Sequence, residues 1–508
     1  MAVFDKAMLC GKITGRQSTA HDLMTSHSLP LVLRRALSPA VILMPVAALL
    51  IAALPPLWSV TLLVVAAVAL LISTRPWLGL LGLALVAPWA PWRPFTVGGL
   101  PLDAADLALL ATLTAWLLHS LAQRQLVIPR APLTWPLLLW LGALAVALAG
   151  AQSYREGLPE LVKWVQVLLV YWLCAALLTP ARARWLMAAL LLSAAAQALL
   201  GVGQFVTGSG PEPFVLPGGF MRASGTFRQP NPYAGYLGLA APVAFSLALA
   251  AGSRRRGRAV WPLLLLASAA ALIALGLVVS WSRGAWLAFA AAMPVVLLLH
   301  ARRAVLPVLA LLLLGGLAVA IAAALGLLPA AVVNRISDLQ SYFGLVDVSR
   351  VEVTDANFSV LERVAHWQAA LAMWRDHLWL GVGLGNYAVS YPTYHLPRWQ
   401  EALGHAHNIY LNVAAESGLL GLLAYLGVGA ASFWQALRAV AAEDRWRAAA
   451  GIGVLGALIA AGVHNLFDNL WVQHIYLLPA LLLGVLAVPS SSSVGSIQAF
   501  SGAFHRKD

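Results

Sequence analysis

Charge is what this sequence has least of. Of its 508 residues only 10% are charged against 61% hydrophobic, and the mean hydropathy is +0.82. Soluble domains carry about one quarter charged residues, so a water-soluble fold is excluded. Cysteine is nearly absent: Cys10 lies in the N-terminal tail and Cys174 inside an apolar run, which excludes a disulfide framework and a cysteine-based metal site. Strict polar alternation is missing as well. Runs such as residues 60–72 are apolar throughout, which excludes a transmembrane β-barrel. No cleavable leader is evident, because the first apolar run begins near Pro39 and leads directly into others; Met24 is an alternative start.

What the chain does have is a succession of apolar runs, and about 20 such residues cross a hydrocarbon core of roughly 30 Å as a helix. The expected fold is an all-α polytopic membrane protein with about 12–14 transmembrane helices. Its spans fall at 39–54, 57–73, 77–90, 104–122, 133–150, 158–178, 185–206, 233–251, 260–280, 285–300, 305–328, 409–437, 448–466 and 471–488. The lower count holds if the two runs around Pro55-Pro56 form one hairpin. The organisation that follows is a cytoplasmic tail 1–38, transmembrane helices over 39–328, a large outer loop 329–408, transmembrane helices over 409–488 and a cytoplasmic tail 489–508.

The formal charge of +13 orients this array. With the N-terminus inside, the inner connectors hold Arg75, Arg124, Arg130, Arg182, Arg184, Arg254, Arg255, Arg256, Arg258, Arg302, Arg303, Arg438, Arg445 and Arg447. Together with the tails they account for 21 of the 32 Lys and Arg, as the positive-inside rule requires. The basic residues are dispersed, one small cluster per inner loop, which argues against nucleic-acid binding. The remaining 11 basic residues fall outside against the bias: Arg93, Arg155, Lys163, Arg222, Arg228 and Arg283 in short connectors, and Arg335, Arg350, Arg363, Arg375 and Arg398 in the long loop. Ionisable groups that defy the rule are candidates for function, with snorkelling and ion pairing as the alternative.

Within the long loop, 359–374 has apolar residues at helical spacing, with Glu362, Arg363 and His366 on the polar face and Trp367 and Trp374 as interfacial anchors. Gly381, Gly383 and Gly385 follow a helix and not a strand, so they suit a tight turn close to other backbone and not a nucleotide loop. His395, His405 and His407 match no familiar zinc spacing, and only Glu401 lies near them, so no metal and no cofactor is expected.

His407-Asn408, followed after nine residues by Gly418-Leu419-Leu420-Gly421 and with Glu416 just before the first glycine, resembles the signature of the O-antigen ligase family of envelope glycosyltransferases, which includes glycan polymerases. Ser282-Arg283-Gly284 resembles the family's Ser-Arg-Gly element. Arg222-Ala223-Ser224-Gly225-Thr226-Phe227 with Pro230-Asn231-Pro232 resembles its arginine-bearing loop and Pro-Asn element. The resembling region runs from about 200 to 470. The resemblance implies a GT-C-like membrane enzyme that needs no metal. It would take a glycan from an undecaprenyl-diphosphate carrier on the periplasmic face of the cytoplasmic membrane and join it to a hydroxyl of a lipid A-core, a glycan or a protein. Its partners would be that donor, a lipid or glycan acceptor and membrane lipids, and not nucleic acid.

Such chemistry needs cations for a diphosphate leaving group and a base for a hydroxyl. Arg222 and Arg283 suit the first task, since a guanidinium is always charged and forks onto phosphate oxygens. His407 suits the second, with helix capping or phosphate contact as alternatives. Arg228, Asn231, Arg363, His405 and Asn408 are candidate substrate-binding residues, while Glu416, Gly418 and Gly421 are candidate structural ones. A polytopic transporter or flippase of lipid-linked glycan is the rival function, and a non-catalytic scaffold a second.

Overall fold

The structure is a computed structural model and describes residues 55–489 apart from 91–94, 98–99, 127, 217, 254–259, 302–304, 328–332, 334–347, 349–350 and 355–356. The expected span 39–54, both tails, Arg93, Arg335, Arg350 and the inner arginines at 254–258 and 302–303 lie outside the described residues. Met1–Val68 forms one unit and Ala69–Asp508 a second, and the site described below belongs to the second.

Fifteen helices are described: α1 (Pro56–Thr74), α2 (Trp77–Val86), α3 (Ala104–Ala122), α4 (Thr134–Ala149), α5 (Tyr154–Leu177), α6 (Pro180–Thr207), α7 (Pro230–Gly252), α8 (Trp261–Val278), α9 (Arg283–His300), α10 (Val305–Ala324), α11 (Phe358–Asp376), α12 (Tyr387–Tyr394), α13 (Ile409–Val440), α14 (Arg445–His464) and α15 (Leu477–Ala487). A hairpin, β1 (Phe95–Val97) and β2 (Leu100–Leu102), pairs Phe95 with Leu102. Eight helices among the described residues are long and apolar enough to cross a membrane: α3, α5 to α9, α13 and α14. The chain is thus an all-α, multi-pass membrane protein.

Local chemistry sets the helix boundaries. Asp103 caps α3, accepting from the amides of Ala105 and Asp106, while the Asp106 carboxylate reaches back to the Asp103 amide. Thr179 caps α6 and Pro180 takes its first turn, so this helix starts five residues before the hydropathy edge at 185. α5 likewise starts at Tyr154 instead of 158, with Glu156 in its first turn, where an acid meets the positive end of the helix dipole. α15 starts only at Leu477, because Gln473 and His474 adopt left-handed φ of 49° and 62° and turn the chain before it.

α7 is the buried axis of the second unit, and α14 packs against it through small residues. A Cβ on Gly453 would stand 2.6 Å from Val243 Cα, and one on Gly456 would stand 2.8 Å from Pro242 Cβ. Close backbone approach of this kind is how helices associate in lipid, where no hydrophobic gain separates them from solvent.

α13 is broken inside. Gly418 has φ 65° and ψ −163°, and the loop between α11 and α12 fills the break. Amides of Val382 and Gly383 donate to the carbonyls of Ala415 and Glu416, and amides of Leu419 and Leu420 donate to Leu378 and Trp379. The Glu416 carboxylate accepts from the amides of Gly385 and Tyr387 at 3.1 Å each. This fit demands glycine: a Cβ on Gly381 would lie 2.4 Å from the Glu416 carbonyl carbon, and one on Gly418 2.2 Å from that of Trp379. A Cβ on Gly421 would meet the Ser417 hydroxyl at 1.9 Å.

The described part of the long loop from Phe358 on is therefore docked onto the bundle. α11 covers the expected 359–374, but its faces differ from the expectation. His366, assigned to the polar face, is 1% exposed and lies 2.9 Å from the Tyr387 hydroxyl, whereas Leu371 is exposed. Docking against α12 buries the side that a free interfacial helix would show to water.

Candidate functional site

The connector between α14 and α15 organises the site. Asp468 in it is buried and holds two partners. One carboxylate oxygen stands 3.3 Å from His407 Nδ1, and the other accepts from Asn231 Nδ2 at 2.8 Å. Asn231 in turn accepts from Arg222 at 3.0 Å through its Oδ1, and Arg222 Nε donates to the Ser280 carbonyl at 3.1 Å. Arg222, Asn231, Asp468 and His407 are thus one continuous hydrogen-bonded chain drawn from the loop before α7, the first turn of α7, the α14–α15 connector and the residue pair before α13.

A second arm comes from α9 and α11. Arg283 is buried and donates to the Ser359 hydroxyl at 2.9 Å, and Arg363 donates to the Ser359 carbonyl at 2.7 Å. Arg363 faces the same cluster electrostatically. Its charge helps depress the pKa values of His366 and His405 and contributes to holding down that of Asp468.

Electrostatics sort the three histidines at this site. Burial, then the charges of His407 and Arg363, lower His366 to about 4. Burial, then His407, lowers His405 to about 3, so both rings are neutral at neutral pH. Burial alone would raise Asp468, but its bond to His407 and the attraction of His407 and Arg363 outweigh that and pull it well below the usual carboxylate range. Asp468 is therefore a fixed anion beside His407. A carboxylate at Nδ1 favours the tautomer with the proton there, which leaves Nε2 as the basic nitrogen. Among the described residues, Nε2 of His407 makes no hydrogen bond. The main chain of His407 is pinned as well: its amide donates to His405 Nδ1 at 3.1 Å, its carbonyl accepts from Trp367 at 3.3 Å, and its φ is +51°. Left-handed strain on a non-glycine residue persists only where neighbours over-determine it, and such residues gather at functional sites.

His405, His407 and Asp468 also offer ligand atoms within 4.8 Å of one another, a spacing a metal ion would accept. His395 stands apart from that group. Hydrogen bonds from His407 to His405 and Asp468 hold the three together.

Residues 267–426 match the family described as O-antigen ligase. That match, over about a third of the chain, supports reading it as an O-antigen ligase family membrane protein. The matched stretch runs from α8 to the middle of α13, narrower than the sequence resemblance of about 200 to 470. A search of curated proteins found no match to the chain. Within the O-antigen ligase stretch fall Arg283, Arg363, His405, His407, Asn408, Glu416, Gly418 and Gly421. Arg222, Arg228, Asn231 and Asp468 lie outside it, so the candidate site draws on residues from both flanks of the match.

The structure brings together most of the residues expected from sequence, but not all. Arg228 stays out of the network: it is exposed, and its backbone amide donates to Gln473 Oε1 at 3.1 Å. Asn408 has both side-chain ends engaged, capping α13 through the Leu411 amide and donating to the Leu466 carbonyl. Asp468 was missed by sequence reasoning. The available signal was a carboxylate in a short connector between two apolar spans, the same kind of anomaly that singled out the arginines.

Proposed function

We propose that this O-antigen ligase family protein transfers a glycan from undecaprenyl diphosphate to an acceptor hydroxyl on the periplasmic face of the cytoplasmic membrane, without a metal. Nε2 of His407 takes the hydroxyl proton while the acceptor oxygen attacks the anomeric carbon. The bond from that carbon to the diphosphate oxygen breaks, and undecaprenyl diphosphate leaves with the electron pair. Asp468 stabilises the imidazolium that forms, as an orienting carboxylate does in other histidine-based sites. Arg222, Arg283 and Arg363 supply the positive field for the leaving group, and preorganised donors aimed at developing charge are a large contributor to such rates.

The observation that carries this reading is the chain from Arg222 through Asn231 and Asp468 to His407, which ties the leaving-group cation to the base in one rigid unit. The test is incubation of purified protein with undecaprenyl-diphosphate glycan and candidate acceptors, with no metal and no nucleotide. Transferred or extended glycan is expected. Turnover only on adding ATP or a nucleotide sugar would overturn the proposed donor.

A further inference from the structure

α13 starts beside His407 and ends at Val440, and α14 starts at Arg445 and returns to His464, so the connector 441–444 lies at the end of the second unit opposite His407. A cavity of about 420 Å³ opens there between α6, α7, α8 and the start of α14. Its wall changes character with depth. Arg184, Asp444 and Arg445 form the rim, while Leu191, Leu247 and Leu266 line it further along their helices. Arg184 and Leu191 are seven residues apart on α6, about 10 Å of rise, enough to pass from the headgroup layer of a bilayer into its acyl chains. Trp185, next to Arg184, and Trp261, the first residue of α8, are both exposed. Exposed tryptophans gather at the boundary between lipid and water, which sets the rim at headgroup depth.

Charge does not balance at this rim. Asp444 spends one carboxylate oxygen capping α14 through the Arg447 amide at 2.8 Å, and the other faces Arg184 at 3.5 Å, a loose pair. Arg445 makes no hydrogen bond or ion pair among the described residues. It opens α14, where a cation opposes the helix dipole, so the fold gains nothing from its charge. Other arginines at this end are consumed by structure: Arg182 donates to the Leu177 carbonyl at 2.8 Å, and Arg447 to the carbonyls of Leu486, at 2.7 Å, and Val488. A neighbouring cavity lined by Arg438 and Arg447 also presents Glu443 and Asp444, so its charges cancel.

We infer that the cavity between α6, α7, α8 and α14 binds an anionic phospholipid of the phosphatidylglycerol class. Its phosphodiester sits between Arg184 and Arg445, and its acyl chains lie along Leu191, Leu247 and Leu266. Two guanidinium groups against one carboxylate leave one positive charge in excess, which matches the single negative charge of a phosphodiester. Basic pockets between membrane helices hold such headgroups, and the apolar wall gives a soluble anion nothing to bind. The inference stands apart from the glycan-transfer reading, because its readouts need no turnover.

The experiment titrates the purified protein in detergent with dioleoylphosphatidylglycerol, dioleoylphosphatidylethanolamine or glycerol phosphate, and follows bound mass by native mass spectrometry and the thermal midpoint. Phosphatidylglycerol is expected to bind at one saturable site and raise the midpoint, and the other two to do neither. Arg184→Gln and Arg445→Gln should each weaken that binding about fivefold. Ala188→Phe, which narrows the wall with every charge kept, should weaken it as well. Arg130→Gln, a charge loss off the cavity, should not. Before lipid is added, Arg445→Gln should melt at or slightly above wild type, and a lower midpoint would assign Arg445 to the fold and overturn the site. Equal binding of phosphatidylethanolamine, or an equal loss in Arg130→Gln, overturns it in favour of unspecific lipid or diffuse charge. Glycerol phosphate competing as well as the lipid overturns it in favour of a soluble anion, and a lipid-free dimer abolished by Ala188→Phe in favour of a second copy.

Discussion

The connector between α14 and α15 carries two histidine–carboxylate pairs that use the same chemistry to opposite ends. In one, Asp468 of the connector holds His407 from before α13 at 3.3 Å, and Nε2 of that histidine makes no hydrogen bond among the described residues. In the other, His474 of the connector meets Asp103, the cap of α3, at 2.5 Å through Nε2, while its Nδ1 stands 3.0 Å from the Tyr476 hydroxyl. Tyr476 then bonds Gln166, and Gln166 bonds Asp106, closing the second pair into a ring of contacts. Both histidines sit at positive φ, 51° and 62°. The difference lies in what is left over: a ring with one nitrogen spare can move a proton, and a ring with both engaged is a strut.

The largest expected effect sharpens that contrast. His407→Ala should lower glycan transfer by about a thousandfold, within the usual reach of general acid–base catalysis, while the thermal midpoint of purified protein stays near wild type. An unchanged rate would remove the distinction between the two pairs. Arg283→Ala and Arg222→Ala should each cost about 3 kcal/mol of transition-state stabilisation, close to a hundredfold in kcat, with Lys recovering only part because it lacks the planar fork. Asp468→Asn keeps the shape but removes the fixed anion and permits the wrong tautomer, and should lower kcat by about tenfold to a hundredfold with little change in KM. On the other pair the signs reverse. His474→Ala should destabilise by about 2 kcal/mol, because it leaves the buried Asp103 carboxylate short of a partner, yet change activity per folded molecule only a few-fold. A collapse in kcat at unchanged stability would show that this pair, too, is chemical.

The smallest effect concerns pH and stability. His366 is held at about 4 in the folded protein against an ordinary 6.5. Between those values the unfolded chain takes up a proton that the folded chain refuses, so stability falls as pH drops from 6.5 toward 4 and levels off below. His405, held at about 3, extends the loss by a further unit. His366→Gln should flatten part of that slope in fluorescence-detected melts. A slope unaltered by the substitution would mean that His366 is protonated in the folded state.

The membrane-spanning scaffold was legible in the sequence because hydropathy is a one-dimensional signal. α3 spans residues 104–122, as the sequence reading has it, and α13 starts at Ile409. Errors came where a cap or a tertiary contact overrides hydropathy, as at Thr179 before α6 and at His474 before α15. Of the residues marked by charge in the wrong place, Arg222 shares one hydrogen-bonded chain with His407, while Arg283 bonds Ser359, which also bonds Arg363. Asp468 and the buried position of His366 were not found, since both are fixed by pairing between segments far apart in the chain, Asp468 with Asn231 and His407, His366 with Tyr387. Arg228 carries the same charge anomaly as Arg222, but it is exposed and bonds Gln473 through its backbone amide.

The interrupted turn at Gly418 bears on how the protein is made. Carbonyls left unmet at 415 and 416 would be costly in lipid, and the backbone that completes them, 378–385, precedes them in the chain. Assembly of α13 therefore ends in a docking event with a segment made before it. Until that docking occurs, the break in α13 stays unfilled and the Glu416 carboxylate lacks its amide partners.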